Sequence, residues 1–387
     1  MPMKSSDAYQ ALEKCKLPAD EAHSLPPAFY SSPELMKAEE MKIFRTGWVG
    51  VGRADRWPAP GDYSAMEIAG VPVIVVRGKG GRLNAFANSC RHRGARLLSG
   101  NGNCPGIRCP FHSWAYTLDG RLAGVPNMEL AKNFNRDDYG LIEFHTAERA
   151  GFAFLCLADE APDIDQWLGD FEALHRPWKL DELVSTRRRE FEVECNWKPF
   201  LEVFKEYYNQ PYVHPDTVND IYNLPDEGDD TTGAYASQFG STEGTGGLLQ
   251  NSQEQPLPVM KSLEGRNRQG VRYSWVFPNM TFASGADAVW VYEIYPLEPG
   301  RSRVGMTACF TPETVAMADF EDRVKHYYRR LDDAIAEDIP ALEDQQTGLA
   351  SDYAQQGRFS PLLEANVAGF ARWYAGQMTL TDKVSKL

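Results

Sequence analysis

The chain has 387 residues, which is more than one domain usually holds and predicts two. Hydrophobic residues make up 43% and charged residues 24%, a composition typical of globular rather than disordered proteins. The formal net charge of −14 repels nucleic-acid phosphates and argues against nucleic-acid binding as the main role.

Nothing in the sequence indicates membrane insertion or export. The longest apolar run, Ala150 to Ala158, is too short to cross a bilayer, and the first residues lack the apolar core of a secretory signal. Seven cysteines, an odd number spread over a long chain, predict free thiols in a reducing compartment. We therefore expect a cytoplasmic protein. The final Ser385-Lys386-Leu387 matches a peroxisomal address, which has meaning only in a eukaryotic cell.

The first part of the chain predicts a helix followed by a small β domain. Ser32 is a suitable N-cap and Pro33 fits the first helical position, so a helix is expected to begin there. Two hairpins are predicted, one between Tyr63 to Ile68 and Val71 to Val76, and one at Asp119-Gly120. Residues 45–162 are therefore expected to form an antiparallel β domain, and residues 1–44 a helical part of a larger domain.

The remaining residues, 163–387, are expected to complete that larger domain. Short helical pieces are predicted between Asp163 and Arg189, a helix from Pro199 to Asn209, and a long loop over residues 223–270 that covers a pocket. Further predicted elements are strands at Val271 to Phe277, Met280 to Ala283, Val289 to Tyr295 and Ser302 to Phe310, and a long helix from Pro312 to about Thr347. The fold class is α+β, with the β domain inserted in a larger domain of antiparallel sheet and covering helices.

The first group of residues with chemical meaning is a set of four metal ligands. Cys90 and His92 form C-x-H, and Cys109 and His112 form C-x-x-H after a further sixteen residues. Zinc can use two cysteines and two histidines in a closed structural site. A Rieske 2Fe–2S cluster uses the same set, with the cysteines on one iron and the histidines on the other. The single residue inside C-x-H is shorter than zinc-finger spacing and favours the cluster. Cys104, in the same loop, is interpreted as an ordinary thiol.

The second group follows Asn196-Trp197-Lys198 and continues with Glu206, Asn209 and His214-Pro215. With a distant acidic stretch that contains Asp338, the chain closely resembles the oxygenase component of Rieske non-haem iron oxygenases. Those proteins share Asn-Trp-Lys, then an acid, two residues, His, four residues and His-Pro. The resemblance covers nearly the whole chain and is nearest to the glycine betaine, carnitine and choline oxygenase branch, which lacks a separate small subunit.

The resemblance implies a role for each matched residue. Cys90, His92, Cys109 and His112 match the cluster ligands. His214 and Asp338 match the second histidine and the carboxylate of the triad that binds mononuclear Fe(II) and leaves positions open for O₂. Glu206 matches the acid that links the cluster of one subunit to the iron of its neighbour, which implies a homotrimer.

Asn209 departs from this pattern, because the family has its first iron histidine there. Three interpretations are open: an engineered replacement, a natural variant that still holds iron with Asn209 as a weak third ligand, or a degenerate relative. Spacing predicts Glu206 and Asn209 on one helical face. We expect Pro211 to end that helix and turn His214 back, and Pro340 to kink the helix that carries Asp338.

The implied activity is the oxidation of a small organic substrate with O₂ as co-substrate. No nucleotide-binding G-x-G-x-x-G motif is present, so a separate reductase or ferredoxin must deliver electrons from NAD(P)H. The favoured substrate is a betaine-like methylammonium compound that is hydroxylated or N-demethylated. An aromatic acid and a non-catalytic electron-carrier role are the alternatives. Aromatic side chains available to surround a quaternary ammonium group are Tyr208, Tyr212, Tyr222, Trp275, Phe277, Trp290 and Tyr292.

Overall fold

Three antiparallel sheets contain all the strands of the computed structural model, which describes residues 5–380. The described residues divide into two compact units: one runs from Phe44 to Pro162, and the other joins the residues up to Ile43 with those from Asp163 onward. The carboxy-terminal tripeptide with the peroxisomal pattern lies outside the described residues.

The inserted unit is almost entirely β structure. Its seven-stranded sheet has the order β1-β10-β9-β4-β3-β2-β5, and a second sheet has the order β6-β7-β8. The strands are β1 Trp48–Arg53, β2 Asp62–Ile68, β3 Val71–Arg77, β4 Leu83–Ala87, β5 Asn101–Asn103, β6 Ile107–Arg108, β7 Ala115–Tyr116, β8 Leu122–Gly124, β9 Glu143–Arg149 and β10 Phe152–Cys156. Ala69 and Gly70 both have positive φ, at 50° and 71°, which is the two-residue turn that matches the twist of the β2–β3 hairpin.

The larger unit is built on one six-stranded sheet of order β11-β16-β15-β14-β13-β12. Its strands are β11 Val184–Val193, β12 Tyr235–Ser241, β13 Gly270–Val276, β14 Met280–Ser284, β15 Val289–Glu298 and β16 Arg301–Phe310. Strands β14 and β15 are buried over most of their length, since side chains cover both faces of the sheet there.

Helices belong to the larger unit, apart from short turns. They are α1 Ser5–Ala11, α2 Ala28–Ser31, α3 Pro33–Glu39, α4 Ile164–Leu168, α5 Phe171–His175, α6 Trp197–Val203, α7 Gln210–Val213, α8 Pro312–Val315, α9 Phe320–Leu349 and α10 Ala365–Thr379. Single 3₁₀ turns are found at Leu12–Lys16, Ala54–Arg56, Arg136–Tyr139, Arg176–Trp178, Leu180–Glu182, Asn219–Ile221 and Gly265–Arg268, and a π turn at Glu40–Phe44. Within residues 5–380 no helix is both long and apolar enough to cross a membrane.

Most of the predicted strands and the capped helix are confirmed. The hydroxyl of Ser32 accepts a hydrogen bond from the amide of Leu35 at 3.3 Å, and Pro33 is the first residue of α3. Both hairpins form, and strands β13 to β16 lie within a few residues of the predicted ranges. The α+β class with an inserted antiparallel domain is therefore correct.

Four local predictions were wrong. The helix expected to reach Asn209 ends at Val203, and strand β12 interrupts the long loop expected over residues 223–270. Part of the stretch expected to be helical forms β11, the ten-residue edge strand Val184–Val193. The long carboxy-terminal helix is broken after Val315 and resumes at Phe320. β11 forms because it pairs with β16. Its own sequence is highly charged and shows little of the alternation of apolar and polar residues that predicts a strand.

The Asn196-Trp197-Lys198 motif builds the scaffold around the site. The Asn196 side chain caps α6 by accepting from the amide of Lys198 at 3.1 Å. The buried Glu39 carboxylate accepts from the Trp197 indole at 2.9 Å and from the Lys198 ammonium at 2.6 Å. The Tyr374 hydroxyl donates to the same carboxylate, so one buried acid joins α3, α6 and α10. Removing one member of such a buried network leaves an uncompensated charge, which is the costly outcome.

Candidate functional site

The four predicted cluster ligands lie on two loops of the inserted unit. Cys90 follows β4, and its loop is closed by hydrogen bonds from the Cys90 amide to Ala95 and from the Gly94 amide to Cys90, both 2.8 Å. Gly94 has a φ of +72°, which glycine adopts without strain. Cys109 follows β6, and its amide donates to the Trp114 carbonyl at 2.8 Å. Each loop therefore begins at a cysteine and carries a histidine within it.

The two loops bring the histidine rings together. The His92 and His112 ring centroids are 4.7 Å apart, and His92 stacks on the buried Trp114 at 4.9 Å and 13°. Cys90 and Cys109 are buried in the apolar core, whereas His112 is exposed. The two cysteines are therefore more deeply buried than the two histidines, of which His92 is half-buried and His112 is exposed.

The donor set fits a Rieske cluster. Both cysteines are free thiols, and Nδ1 of His92 is buried without a hydrogen-bond partner, so it has a lone pair available for a metal. The Tyr116 hydroxyl lies 3.3 Å from Cys90 Sγ and accepts from the Arg91 amide at 3.0 Å. Hydrogen bonds to the sulfur ligands tune the potential of such clusters. Cys104 packs against the neighbouring apolar core, in line with its interpretation as an ordinary thiol.

The second group assembles in the larger unit, between α7 and α9. Nε2 of His214 is 3.0 Å from Oδ1 of Asp338, and Nδ2 of Asn209 is 3.5 Å from both atoms. Two donors bound at about 2.1 Å and at right angles on one ion lie about 3 Å apart. The three side chains therefore face one point with spacings that suit a single metal ion.

The chain reaches this arrangement differently from the expectation. Glu206 and Asn209 do not share a helical face, because both lie in the break between α6 and α7. Pro211 stands in the first turn of α7 rather than ending a helix, and His214 caps that helix at its carboxyl end. Pro340 lies inside helix α9, and the kink expected there stays a prediction. The break between two short helices, not a continuous helical face, brings Asn209 and His214 together.

Glu337 orients His214, the predicted iron ligand, a role that the sequence alone did not suggest. Its Oε2 lies 2.7 Å from Nδ1 of His214 and accepts from the Thr217 hydroxyl at 2.7 Å. A carboxylate on one ring nitrogen fixes the tautomer and leaves Nε2 for the metal. Burial by itself lowers the pKa of His214, but its bonds with Asp338 and Glu337 outweigh this and raise it. Burial also raises the pKa of Asp338, and the hydrogen bond with His214 opposes that effect.

Glu206 stands beside this site within a group of acids. It lines a cavity of about 40 Å³ together with Asn209, His214 and Asp338, and it also lines a second cavity of about 300 Å³. Burial, followed by the charge and hydrogen bond of Glu364, holds the pKa of Glu206 well above its usual range. Burial also raises the pKa of Glu364, and two neighbouring carboxyl groups do not both ionise easily.

The smaller cavity has aromatic walls, but only part of the predicted aromatic set contributes. Tyr222 and Tyr292 line it, as do Phe204 and Tyr273, which the sequence analysis did not include. Tyr208 and Tyr212 are 53% and 79% exposed, while Trp275 and Phe277 pack against Phe370 in the core. A positive side chain, Arg330, completes the lining.

Within residues 5–380, no three His, Cys, Asp or Glu side chains converge on one metal position. Two facts account for this. A Rieske cluster takes two ligands on each iron, and the second site has an amide, Asn209, where a third strong ligand would stand. The residues of both sites otherwise fit the implied groups.

Comparison with known proteins assigns the family. The model for the ring hydroxylating alpha subunit (catalytic domain) matches residues 180–380, more than half of the chain, and the model for the Rieske 2Fe-2S domain matches residues 47–135. The chain is 28% identical to the glycine betaine monooxygenase oxygenase subunit of Chromohalobacter salexigens, over 92% of this chain and 86% of that protein. It is 27% identical to the carnitine monooxygenase oxygenase subunit of Acinetobacter pittii, over 88% and 89%.

A solved structure of a quaternary ammonium Rieske monooxygenase, whose report concerns carnitine oxidation and inter-subunit electron transfer, superposes with a TM-score of 0.80. The two sequences are 25% identical, and the match covers 95% of this chain and 98% of that one. The chain belongs to the ring-hydroxylating alpha-subunit family. It is a Rieske non-haem iron oxygenase whose cofactors are a Rieske 2Fe–2S cluster and a mononuclear iron.

Proposed function

We propose, with membership of the ring-hydroxylating family as the premise, that this chain oxidises a small betaine-like methylammonium compound. The observation that carries the proposal is the juxtaposition of His214, Asp338 and Asn209 in a cavity walled by tyrosines. Aromatic rings attract quaternary ammonium groups by cation–π interaction. The relatives named for glycine betaine and carnitine support the same substrate class.

The reaction is hydroxylation of a C–H bond, with N-demethylation as its consequence on an N-methyl group. One oxygen atom of O₂ enters the C–H bond, and two electrons and two protons reduce the other atom to water. A hydroxymethyl group on nitrogen then leaves as formaldehyde. The electrons originate from NAD(P)H and reach this chain through a separate reductase or ferredoxin, since the sequence has no nucleotide-binding motif of its own.

Each residue of the site has a defined task in this scheme. His214 and Asp338 would hold the iron, which supplies O₂ activation when bound, and Asn209 would offer a weak third ligand. Glu337 keeps Nε2 of His214 directed at the metal position. Buried aromatic rings around the cavity exclude water and orient the substrate.

We infer that Glu206 connects the iron site with the cluster of a neighbouring subunit in a homotrimer. Support comes from its place in both cavities beside Asn209 and from the exposure of His112. A head-to-tail ring uses heterologous interfaces that close by rotation. Light scattering is expected to give about three times the chain mass of 43.4 kDa. A stable monomer would contradict both the trimer and this role of Glu206. The seven free cysteines support a reducing, cytoplasmic location.

An oxygen-uptake assay with a donor reductase tests the substrate class. The chain and its Asn209→His variant are incubated with glycine betaine, carnitine, choline and a panel of aromatic acids, and O₂ uptake and formaldehyde are measured. We expect uptake that depends on a methylammonium compound. Uptake only with aromatic acids would refute the proposed substrate class. Reduction of the cluster without any O₂ uptake in either protein would instead indicate an electron carrier.

A further inference from the structure

Arg330 is a buried cation that forms no salt bridge with any acid of the described residues. Its side chain is 4% exposed, and no carboxylate oxygen of residues 5–380 lies within 4.0 Å of it. One terminal nitrogen donates to the Tyr222 hydroxyl at 2.9 Å, and its Nε has no hydrogen-bond partner. Buried charges in proteins are normally paired, and an unpaired one is costly to the fold. Arg330 therefore has capacity to bind an anion.

The position of Arg330 places that capacity in the substrate cavity. Arg330, Ala334 and Asp338 follow one another at intervals of four residues on α9, and all three line the cavity of about 40 Å³. Eight residues of helix separate Arg330 from Asp338 by about 12 Å along the axis. Ala334, between them, has only a methyl group, so the space between the cation and the metal position is not filled from α9.

Opposite charges lie at the two ends of this cavity. Positive charge is at the Arg330 end, where Tyr222 and Tyr273 surround the guanidinium. Acidic groups, Asp338 and Glu206, are at the end of the metal position. A molecule with a carboxylate at one end and a methylammonium group at the other is complementary to this arrangement of charges. A molecule with only a positive charge would meet the repulsion of Arg330 in a poorly solvated site.

We propose that Arg330 binds the carboxylate of a zwitterionic substrate and thereby directs its N-methyl group toward Asn209, His214 and Asp338. This inference rests on the proposed function, which it narrows from methylammonium compounds in general to those that also carry a carboxylate. Planar guanidinium groups bind carboxylates through paired N–H donors, and the free Nε of Arg330 supplies one of these. Arg330 is accordingly a residue that determines specificity.

Equilibrium binding without turnover tests the proposal. The full chain with its cluster is titrated calorimetrically, without O₂, with glycine betaine, its methyl ester, choline and benzoate. The ester keeps the trimethylammonium group, loses the negative charge and gains one methyl group, whereas choline lacks the charge without that addition. We expect the betaine to bind at least about 10-fold more tightly than the ester or choline, a difference of about 1.4 kcal/mol, since hydrogen bonds between charged groups are the strong ones.

Variants of Arg330 test whether this side chain causes the preference for betaine over its ester. Arg330→Gln is expected to weaken betaine binding at least about 10-fold and to leave ester binding nearly unchanged, while Arg330→Lys retains part of the preference. The control is Arg329→Gln, which removes the neighbouring exposed guanidinium, paired with Asp333, from the same helix. It should bind betaine like the unchanged chain. Circular dichroism and thermal melting show whether each variant is folded, and the ester comparison on the unchanged chain needs no variant.

The outcomes separate this inference from the proposed function. Equal binding of betaine and its ester, unaffected by Arg330→Gln in a folded variant, would refute the role of Arg330 and leave the methylammonium substrate class intact. Binding of benzoate but of none of the three ammonium compounds, lost in Arg330→Gln, would refute the methylammonium class and support Arg330 as the carboxylate site.

Discussion

Replacing Asn209 with histidine is expected to create the third strong ligand that the iron site lacks. In the present chain the amide Nδ2 of Asn209 faces His214 Nε2 and Asp338 Oδ1 at 3.5 Å, the outer limit of a hydrogen bond. An amide binds metal through its oxygen, so the side chain must turn over before it can act as a ligand. Even then a neutral amide oxygen is a weaker donor to Fe(II) than imidazole.

The size of the effect follows from the ligand count. Without a histidine at position 209, iron would have one nitrogen donor, His214, and one carboxylate, Asp338, which lie 3.0 Å apart. Loss of a residue that merely orients a ligand weakens metal binding 10–100-fold. Gain of a direct ligand should therefore strengthen Fe(II) binding by more than about 100-fold, or about 2.8 kcal/mol. The predicted Rieske ligands, Cys90, His92, Cys109 and His112, are not altered, so the cluster is expected to be unchanged.

Metal analysis and oxygen uptake measure this outcome. After anaerobic incubation with Fe(II) and desalting, the present chain is expected to hold about two irons and two sulfides, and Asn209→His about three irons with the same sulfide. Substrate-dependent O₂ uptake should rise in parallel. Asn223→His adds a histidine at an exposed position near the site and serves as the control, with no third iron expected.

One result would overturn the reasoning. If the present chain already holds a full third iron and turns over faster than Asn209→His, the asparagine is a working ligand. The interpretation of a weakened site would then be wrong, and the metal would have to draw on the amide oxygen together with water. Zinc in place of iron and sulfide, with no visible absorbance, would refute the cluster as well.

Three further predictions concern the cavity, the cluster and a buried acid. Ala334→Leu should fill the cavity of about 40 Å³ and weaken betaine binding at least 10-fold by calorimetry, whereas the exposed Ala336→Leu should not; equal binding by both variants would contradict the assigned cavity. Tyr116→Phe removes the hydroxyl 3.3 Å from Cys90 Sγ and should lower the cluster potential measured by voltammetry, and an unchanged potential would speak against that hydrogen bond. Burial raises the pKa of Asp287 to about 7, above its unfolded value, so its stabilising contribution is present at acidic pH and is lost as pH rises through about 7. The difference in urea midpoint between Asp287→Asn and the unchanged chain should therefore shift in favour of the variant when the pH is raised from 5 to 8. An equal difference at both pH values would refute this assignment.

Short sequence patterns were enough to predict several elements of the fold. The Ser32-Pro33 pair, the Ala69-Gly70 turn and the Asp119-Gly120 turn each depend on backbone preferences of a few adjacent residues, and each forms as predicted. Strand β11 and the end of helix α6 were mispredicted because neither depends on local preference. Pairing with β16 makes the first a strand, and the second ends at Val203 although its sequence remains compatible with helix.

By itself, the sequence indicated the class of chemistry and the candidate ligands: two cysteines and two histidines at cluster spacing, and His214 with a distant Asp338. The first set was proposed from residue type and spacing, whereas His214 and Asp338 were proposed from the family resemblance, and both sets remain predictions. Only the tertiary structure decided how the site is surrounded. Glu337 orients His214, Tyr273 and Phe204 form walls, and the buried cation Arg330 lines the cavity. These contacts join segments up to about 130 residues apart, and no local pattern encodes them, because burial and charge pairing arise only when the chain has folded.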